Sequence, residues 1–125
     1  MSNEGILPGF DEEVNKDLKI RLKKLQGKKS AIALELIGSI DAYNVDYLRR
    51  SVMKVIEAGF IFLTFALGRV DMVSSSGVAT FISLNKVINE TGGELILDNM
   101  TPKVKGVFSL LCLETFFHCT DPKDE

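Results

Sequence analysis

The residues best suited to chemistry are three consecutive serines followed by a glycine, Ser74, Ser75, Ser76 and Gly77, between an apolar stretch and a helical pattern. Serines at a helix start commonly accept hydrogen bonds from unpaired backbone N–H groups, and glycine eases the turn. The same position also suits a phosphate, because the N–H groups and dipole of a helix start stabilise anionic charge. Phosphorylation there would add about −1.5 to −2 charge to one surface spot. From these residues alone, capping and a phosphate site both remain open.

A second polar segment, Gly38, Ser39, Ile40 and Asp41, ends an apolar strand pattern and precedes another helical pattern. The aspartate of such a turn either bonds local backbone or is available to contact a partner. If the strands that precede Asp41 and Ser75 run parallel, their carboxyl ends meet at one edge of the sheet. The sequence then predicts that the two side chains share a surface.

Enzyme constellations are poorly supported. The chain has one histidine, His118, and nothing in the sequence places it near Ser75. A small enzyme that uses Ser75 as its nucleophile would need such a base. The acids at or just after the ends of predicted strands, Asp41, Asp71 and Asp98, are expected to occupy loops. Neither standard glycine-rich phosphate loop is present.

A metal centre is equally unsupported. Cys112, His118 and Cys119 lack a fourth ligand and a tight pair of cysteines. Two cysteines in a chain of this size do not make a disulfide framework, so we expect free thiols, no metal and no cofactor.

Composition narrows the class of protein further. Over 125 residues, Lys and Arg number 15 and Asp and Glu number 17, which gives a net charge of −2. This balance predicts no direct binding of nucleic acid, which requires a basic face. No apolar run approaches the ~20 residues that span a bilayer, and residues 1–15 do not resemble a signal peptide. We therefore expect a cytoplasmic protein without a membrane partner.

The apolar periodicity predicts the elements that must position these residues. Strands are expected at residues 18–23, 30–40, 60–67 and 94–98, with the run at 60–67 covered on both faces. Helices are expected to begin at Asn44, at the serine run and at Thr101-Pro102, with Gly59 ending the first helix and Gly92-Gly93 the second. A last short strand is possible at Phe116-Phe117.

The predicted order is ββαβαβα with a possible final β. It indicates an α/β fold with a mixed sheet of four or five strands. We assign residues 16–120 to a single domain, residues 1–15 to a tail or arm, and residues 121–125 to a polar tail. The inner faces of the three helices are predicted to contain Val45, Leu48, Val52, Val55 and Ile56; Val78, Phe81, Ile82, Leu84, Val87 and Ile88; and Val104, Val107, Phe108 and Leu111.

Taken together, these motifs resemble the STAS domain, and more narrowly the bacterial anti-sigma factor antagonists. The resemblance extends from about residue 18 to residue 117. It is carried by Gly38-x-Ile40-Asp41, the serine run ending in Gly77, Gly92-Gly93-Glu94-Leu95 and Thr101-Pro102-x-Val104.

The resemblance implies a regulator of transcription that works by partner switching and not by catalysis. Such an antagonist binds an anti-sigma factor that is also a serine kinase, and so frees the sigma factor. The kinase phosphorylates a serine at the start of the second predicted helix, the complex dissociates, and a phosphatase reverses the modification. Matched to this sequence, the phosphorylated serine is Ser75. The implied partner-binding residues are Asp41, Ser74, Ser76 and Gly77.

The sequence departs from the family pattern at two positions. Ser74 stands where an acid usually precedes the phosphoserine, and Ala66 stands where the third strand commonly has Asp or Asn. A STAS scaffold that is never phosphorylated is therefore a second expectation, and an enzyme that uses Ser75 is a third.

Overall fold

A mixed five-stranded sheet forms the centre of the computed structural model, which describes residues 2–27, 30–110 and 117–120. The strands are adjacent in chain order: β1 (Leu18–Lys24), β2 (Ala31–Ile40), β3 (Phe62–Val73), β4 (Glu94–Asp98) and β5 (His118–Thr120). β1 pairs antiparallel with β2, and all later pairings are parallel. The predicted α/β class and mixed sheet are confirmed.

Three main helices connect the strands, as predicted. The main helices are α2 (Val45–Glu57), α3 (Ser75–Glu90) and α4 (Pro102–Leu110). The short helix α1 (Asn3–Ile6) and a 3-10 helix at Phe10–Glu12 precede the first strand. Gly59 has a φ of 103° directly beyond α2, which is the left-handed conformation of a helix stop. The Thr101 hydroxyl accepts a hydrogen bond from Val104 N at 3.2 Å, so the predicted cap of α4 is confirmed.

The main helices and the sheet share one apolar core that includes a chain of four aromatic rings. The Phe81 ring lies 5.4 Å from that of Phe65 and 6.0 Å from that of Phe108. Phe108 in turn lies 5.5 Å from Phe117. These contacts connect β3, α3, α4 and the residue that precedes β5. The helix register inferred from the apolar spacing is confirmed, because Phe81 is 0% exposed.

The central strand differs from the prediction in its covering. One face of β3 is fully buried and contributes Leu63, Phe65 and Leu67 to the core. On the opposite face, Thr64 and Ala66 are only half-buried. The prediction of a strand covered on both faces is therefore correct for the face of Leu63, Phe65 and Leu67 and wrong for the half-buried face of Thr64 and Ala66. An apolar run does not distinguish a strand with two buried faces from one with a half-exposed second face.

β3 also continues six residues beyond the predicted end. Its last residues pair with β2 across two register shifts, Met72 with Ser39 and Val73 with Ile40. The prediction that Asp71 lies in a loop is wrong, because Asp71 belongs to this continuation. Polar residues interrupt the apolar pattern after Leu67, so the sequence pattern alone places the strand end there. The backbone pairing with β2 continues beyond this point and extends the strand.

The last strand begins at His118, directly after the predicted Phe116-Phe117 segment. Phe117 is buried directly before β5, which starts at His118. Phe116, Leu111, Cys112 and residues 121–125 lie outside the described residues.

The N-terminal arm, residues 2–17, lies against β1 and α2. Phe10 is 2% exposed and belongs to the core. The Glu13 carboxylate accepts two hydrogen bonds from Arg50 of α2, one of them from Nε at 2.9 Å. The Glu4 carboxylate accepts hydrogen bonds from Gly9 N and Asp11 N, each at 2.9 Å. The bonds from Arg50 lower the pKa of Glu13, and the backbone N–H groups lower the pKa of Glu4.

We expect docking of the arm to weaken in acid. A carboxyl group with a lowered pKa stabilises the folded state fully above its unfolded pKa. That contribution disappears as the pH falls through the lowered value. An NMR titration of the Leu22 amide, which donates to the Asn3 side chain, should report a transition at acidic pH. Glu13→Gln should reduce this dependence and Glu12→Gln should not. An identical titration in both variants would contradict the assignment.

The aromatic chain predicts a large effect from one truncation. Phe81→Ala should lower the free energy of unfolding by about 3–5 kcal/mol, because a fully buried ring leaves a cavity. Leu110→Ala is the control, since Leu110 is 83% exposed and should change stability by less than about 0.5 kcal/mol. Urea unfolding of both variants measures the difference, and a loss below about 1 kcal/mol for Phe81→Ala would contradict this role for the ring.

Candidate functional site

The last register pair of β2 and β3 brings the two polar segments together. Ile40 pairs with Val73, and Ser74 N donates a hydrogen bond of 2.9 Å to Ile40 O. Asp41 and Ser74 directly follow this pair, so both chains leave the sheet side by side. We call the surface formed by residues 39–44 and 73–77 the serine edge.

The three serines have three different environments. Ser74 is the N-cap of α3, and its Oγ accepts a hydrogen bond from Gly77 N at 3.2 Å. Ser76 is half-buried, and its carbonyl accepts a hydrogen bond from the Thr80 hydroxyl at 2.9 Å. Ser75 is the first residue of α3 and is exposed. The capping interpretation therefore applies to Ser74, whereas Ser75 is accessible at the helix start.

Gly77 allows α3 to begin close to the sheet. A Cβ atom at this position would lie 2.7 Å from Val73 Cγ1 and 2.8 Å from Ile40 Cγ2. Both distances are shorter than real Cβ contacts, and β-branched side chains anchored in the sheet cannot easily move aside. The absence of a side chain therefore fixes how closely the serine run approaches the end of β2.

Asp41 organises the turn that follows β2. Its Oδ1 accepts a hydrogen bond from Tyr43 N at 2.9 Å, and its carbonyl accepts from the N–H groups of Asn44 and Val45 at 3.2 Å. These are the local backbone contacts that the turn chemistry suggested. The side chain is half-buried, so the turn holds it in a fixed position at the serine edge.

Asn44 occupies the N-cap position of α2 but does not cap the helix with its side chain. Its Oδ1 instead accepts a hydrogen bond from Asp41 N at 3.0 Å, and its Nδ2 donates to Ser39 O at 2.8 Å. The residue is 1% exposed. The predicted N-cap position is confirmed, but the side-chain amide bonds to the turn that carries Asp41 and not to the start of the helix. The signal in the sequence was the Asp-x-x-Asn spacing, which also suits a side chain that bonds to its own turn.

Two exposed apolar side chains also belong to this end of the sheet. Tyr43 is 94% exposed on the turn after β2, and Met72 is 37% exposed near the end of β3. Neither residue belongs to a sequence motif, because a single exposed side chain in a turn or at a strand end forms no repeating pattern.

The candidate base lies far from the serine edge. His118 pairs with Ile96, and Ile96 pairs with Thr64. Thr64 precedes Val73 by nine residues of β3, which is roughly 30 Å at about 3.3 Å per residue. The backbone geometry therefore does not support a pair of Ser75 and His118.

A metal site is also not formed in the described part of the chain. Within those ranges, no three His, Cys, Asp or Glu side chains come together as a metal site requires. The half-buried Cys119 donates a hydrogen bond of 3.6 Å from its Sγ to Phe117 O. Among the same residues, no helix has the length and apolar character needed to cross a membrane.

The family model of the STAS domain matches residues 23–124, which is most of the chain. The chain belongs to the STAS domain family. BtrV of Bordetella bronchiseptica, whose name gives it as a candidate anti-sigma factor antagonist, is 27% identical over 74% of this chain and 78% of its own length. The anti-sigma-B factor antagonist of Bacillus subtilis is 28% identical over 66% of this chain and 75% of its own length.

Solved structures have the same STAS fold. The anti-sigma factor antagonist SpoIIAA in its unphosphorylated form superposes with a TM-score of 0.68 at 20% identity, covering 85% of this chain and 91% of SpoIIAA. SpoIIAA in its phosphorylated form, named as a Bacillus cell fate determinant, superposes with a TM-score of 0.62 at 18% identity. This comparison covers 85% of this chain and 95% of SpoIIAA. At this level of identity the comparison establishes the fold and not the residues of the site.

A pair of glycine substitutions tests the close approach at the serine edge. Gly77→Ala should lower the free energy of unfolding by about 1–3 kcal/mol, because the methyl group overlaps Val73 and Ile40. Gly106→Ala is the matched control in α4, where a Cβ meets nothing within 4 Å. That variant should gain about 0.5–1 kcal/mol from helix propensity. Thermal unfolding measures both, and equal stabilisation by the two alanines would rule out the close approach.

Proposed function

We propose that this protein is an anti-sigma factor antagonist that uses the serine edge to bind an anti-sigma factor, and that phosphorylation of Ser75 ends the binding. The anti-sigma factor is itself the serine kinase, and a phosphatase regenerates the binding form. The protein acts in the cytoplasm as a binding module and not as an enzyme. The names of its STAS relatives support the partner class.

The observation that carries this proposal is the accessibility of Ser75 beside the Asp41 turn. Of the three serines, Ser75 alone is exposed. The bond from Ser74 N to Ile40 O holds the start of α3 against the end of β2. One partner surface that covers the serine edge would therefore contact both segments.

Phosphorylation would change this surface without disturbing the fold. A helix start stabilises a phosphate through its N–H groups and dipole, so the modification costs little folding energy. The same phosphate would place a dianion close to the Asp41 carboxylate. A partner fitted to a neutral hydroxyl would lose contacts and have to desolvate an unpaired charge, at a cost on the order of several kcal/mol.

The rest of the serine edge supplies contacts that do not depend on phosphate. Tyr43 is almost fully exposed on a turn fixed by Asp41 and Asn44. Tyrosine is enriched among the residues that dominate interface energies, since it buries a large area with few rotatable bonds. Ser74, Ser76 and Gly77 contribute mainly by holding the start of α3 in place.

Substitutions of the serines test the switch. Anti-sigma factor kinases of the source organism are purified and titrated one by one by calorimetry. The wild-type protein should bind one of them, and Ser75→Asp should weaken this binding by at least about 100-fold, the equivalent of several kcal/mol. Ser75→Ala should bind whether or not ATP is present. Mass spectrometry of the wild-type protein after incubation with the kinase and ATP should locate phosphate on Ser75.

Ser74→Ala is the matched control. It should keep binding and phosphorylation but lose about 1 kcal/mol of stability, because Ser74 caps α3. If Ser75→Asp binds as tightly as the wild-type protein and no kinase modifies Ser75, the switch is wrong and the protein is an unphosphorylated STAS scaffold.

A further inference from the structure

β1 is an edge strand whose outward hydrogen-bonding groups face the N-terminal arm. In an antiparallel ladder, alternate residues direct both N–H and C=O toward the partner strand or away from it. Asp17 bonds toward β2, since its carbonyl accepts from Ser39 N at 3.0 Å. The even-numbered residues, including Ile20 and Leu22, therefore direct their backbone groups away from β2. Such groups form a template on which another strand can pair.

The Asn3 side chain occupies this template as a strand would. Its Nδ2 donates to Ile20 O at 2.7 Å, and its Oδ1 accepts from Leu22 N at 2.8 Å. In a parallel sheet, the N–H and C=O of one residue bond to the two residues that flank its register partner. The amide of Asn3 thus reproduces the hydrogen bonds of one residue in a parallel sixth strand, opposite Arg21. Asn15 covers the next outward group, because its Oδ1 accepts from Leu18 N at 3.1 Å.

The part of the arm that holds Asn3 has no fully buried residue, although Ile6 of α1 packs partly buried against the core. α1 has four residues, and none of them is buried. A helix of this length is not stable in isolation. Beyond the bonds to β1, the Asn3 amide donates to Asp11 Oδ1 at 3.0 Å. Elements with few buried contacts open at low free energy, so α1 can leave β1 while the sheet stays folded.

The side chains of β1 determine which strand could replace the arm. Lys19, Arg21 and Lys23 are exposed and alternate with the buried Leu18, Ile20 and Leu22. If the β1 strands of two copies paired antiparallel with their apolar faces matched, these cations would lie opposite each other, which is unfavourable. An acidic residue is already the cross-strand partner on the other side, where Glu35 lies 4.0 Å from Arg21. The edge therefore favours an acidic strand over a second copy of the chain.

We propose that the outer edge of β1, once the arm has left it, binds an extended segment of a partner protein in which acidic and apolar residues alternate, added parallel to β1 as a sixth strand. The acids pair with Lys19, Arg21 and Lys23, and the apolar residues continue the face of Ile20 and Leu22. The arm competes for this edge within the same chain. The surface is distinct from the serine edge, and its use does not depend on Ser75.

The experiment uses the full chain and a fluorescent synthetic peptide of about nine residues that alternates Glu and Val. Asn3→Ala removes both hydrogen bonds to β1 and should therefore tighten peptide binding by roughly tenfold or more. Fluorescence anisotropy of the peptide measures the binding. Asn3→Asp is a second variant that keeps an acceptor for Leu22 N but loses the donor to Ile20 O and repels Asp11. It should also tighten binding. A peptide that alternates Lys and Val is the control and should not bind.

Hydrogen exchange places the peptide on the molecule. The Leu22 amide should exchange faster in Asn3→Ala than in the wild-type chain and regain protection when the acidic peptide is added. Arg21→Gln, combined with Asn3→Ala, should weaken binding of the acidic peptide and change thermal unfolding little, because it removes the cation without placing two acids opposite each other. Unchanged exchange at Leu22, no binding of the acidic peptide to either Asn3 variant, or equal binding of the two peptides would overturn the proposal.

Discussion

The parallel pairing of Ile40 with Val73 fixes the position of every candidate residue at the serine edge. It allows Ser74 N to reach Ile40 O, and it provides the two side chains against which Gly77 packs. A slip of one residue would turn the apolar side chains of β3 away from the core. Beyond the two register shifts, the burial of Ile40 and Val73 holds this pair, so the geometry of the serine edge is a consequence of core packing.

The sequence predicted the elements that a continuous apolar pattern defines. The faces of α2 and α3, the cap of α4 at Thr101 and the alternation in β1 all follow from side chains that must be buried or must satisfy local backbone groups. The continuation of β3 to Val73 was missed because strand pairing extends beyond the apolar run. The contacts of the arm were missed for a related reason. Asn3 bonds to Ile20 and Leu22, which are 17 and 19 positions further along the chain. The secondary-structure propensity of neighbouring residues contains no information about contacts at such a separation.

At the serine edge, the sequence predicted where the polar residues lie better than it predicted their hydrogen-bond partners. Parallel strands bring Asp41 and Ser75 to one end of the sheet, and this follows from the order of elements. The roles of neighbouring polar residues did not follow, because the same side chain can bond to a helix start or to the preceding turn with similar energy. Ser74 bonds to its helix, whereas Asn44 bonds to its turn. The outcome depends on the path of the backbone, which is set by packing elsewhere.

The unequal lengths of the strands separate the molecule into regions of different local stability. β4 ends at Asp98 opposite Ala66, whereas β3 runs on to Val73 with β2 as its neighbour. Among the described strands, the end that carries the serine edge is therefore a narrow ribbon beyond the aromatic core. This end has fewer neighbouring strands than the rest of the sheet, although Ile40 and Val73 keep it attached to the core. Substitutions at its exposed positions, such as Tyr43 and Ser75, can accumulate with limited effect on global folding, whereas the buried Ile40, Val73 and Gly77 keep the shape of this surface.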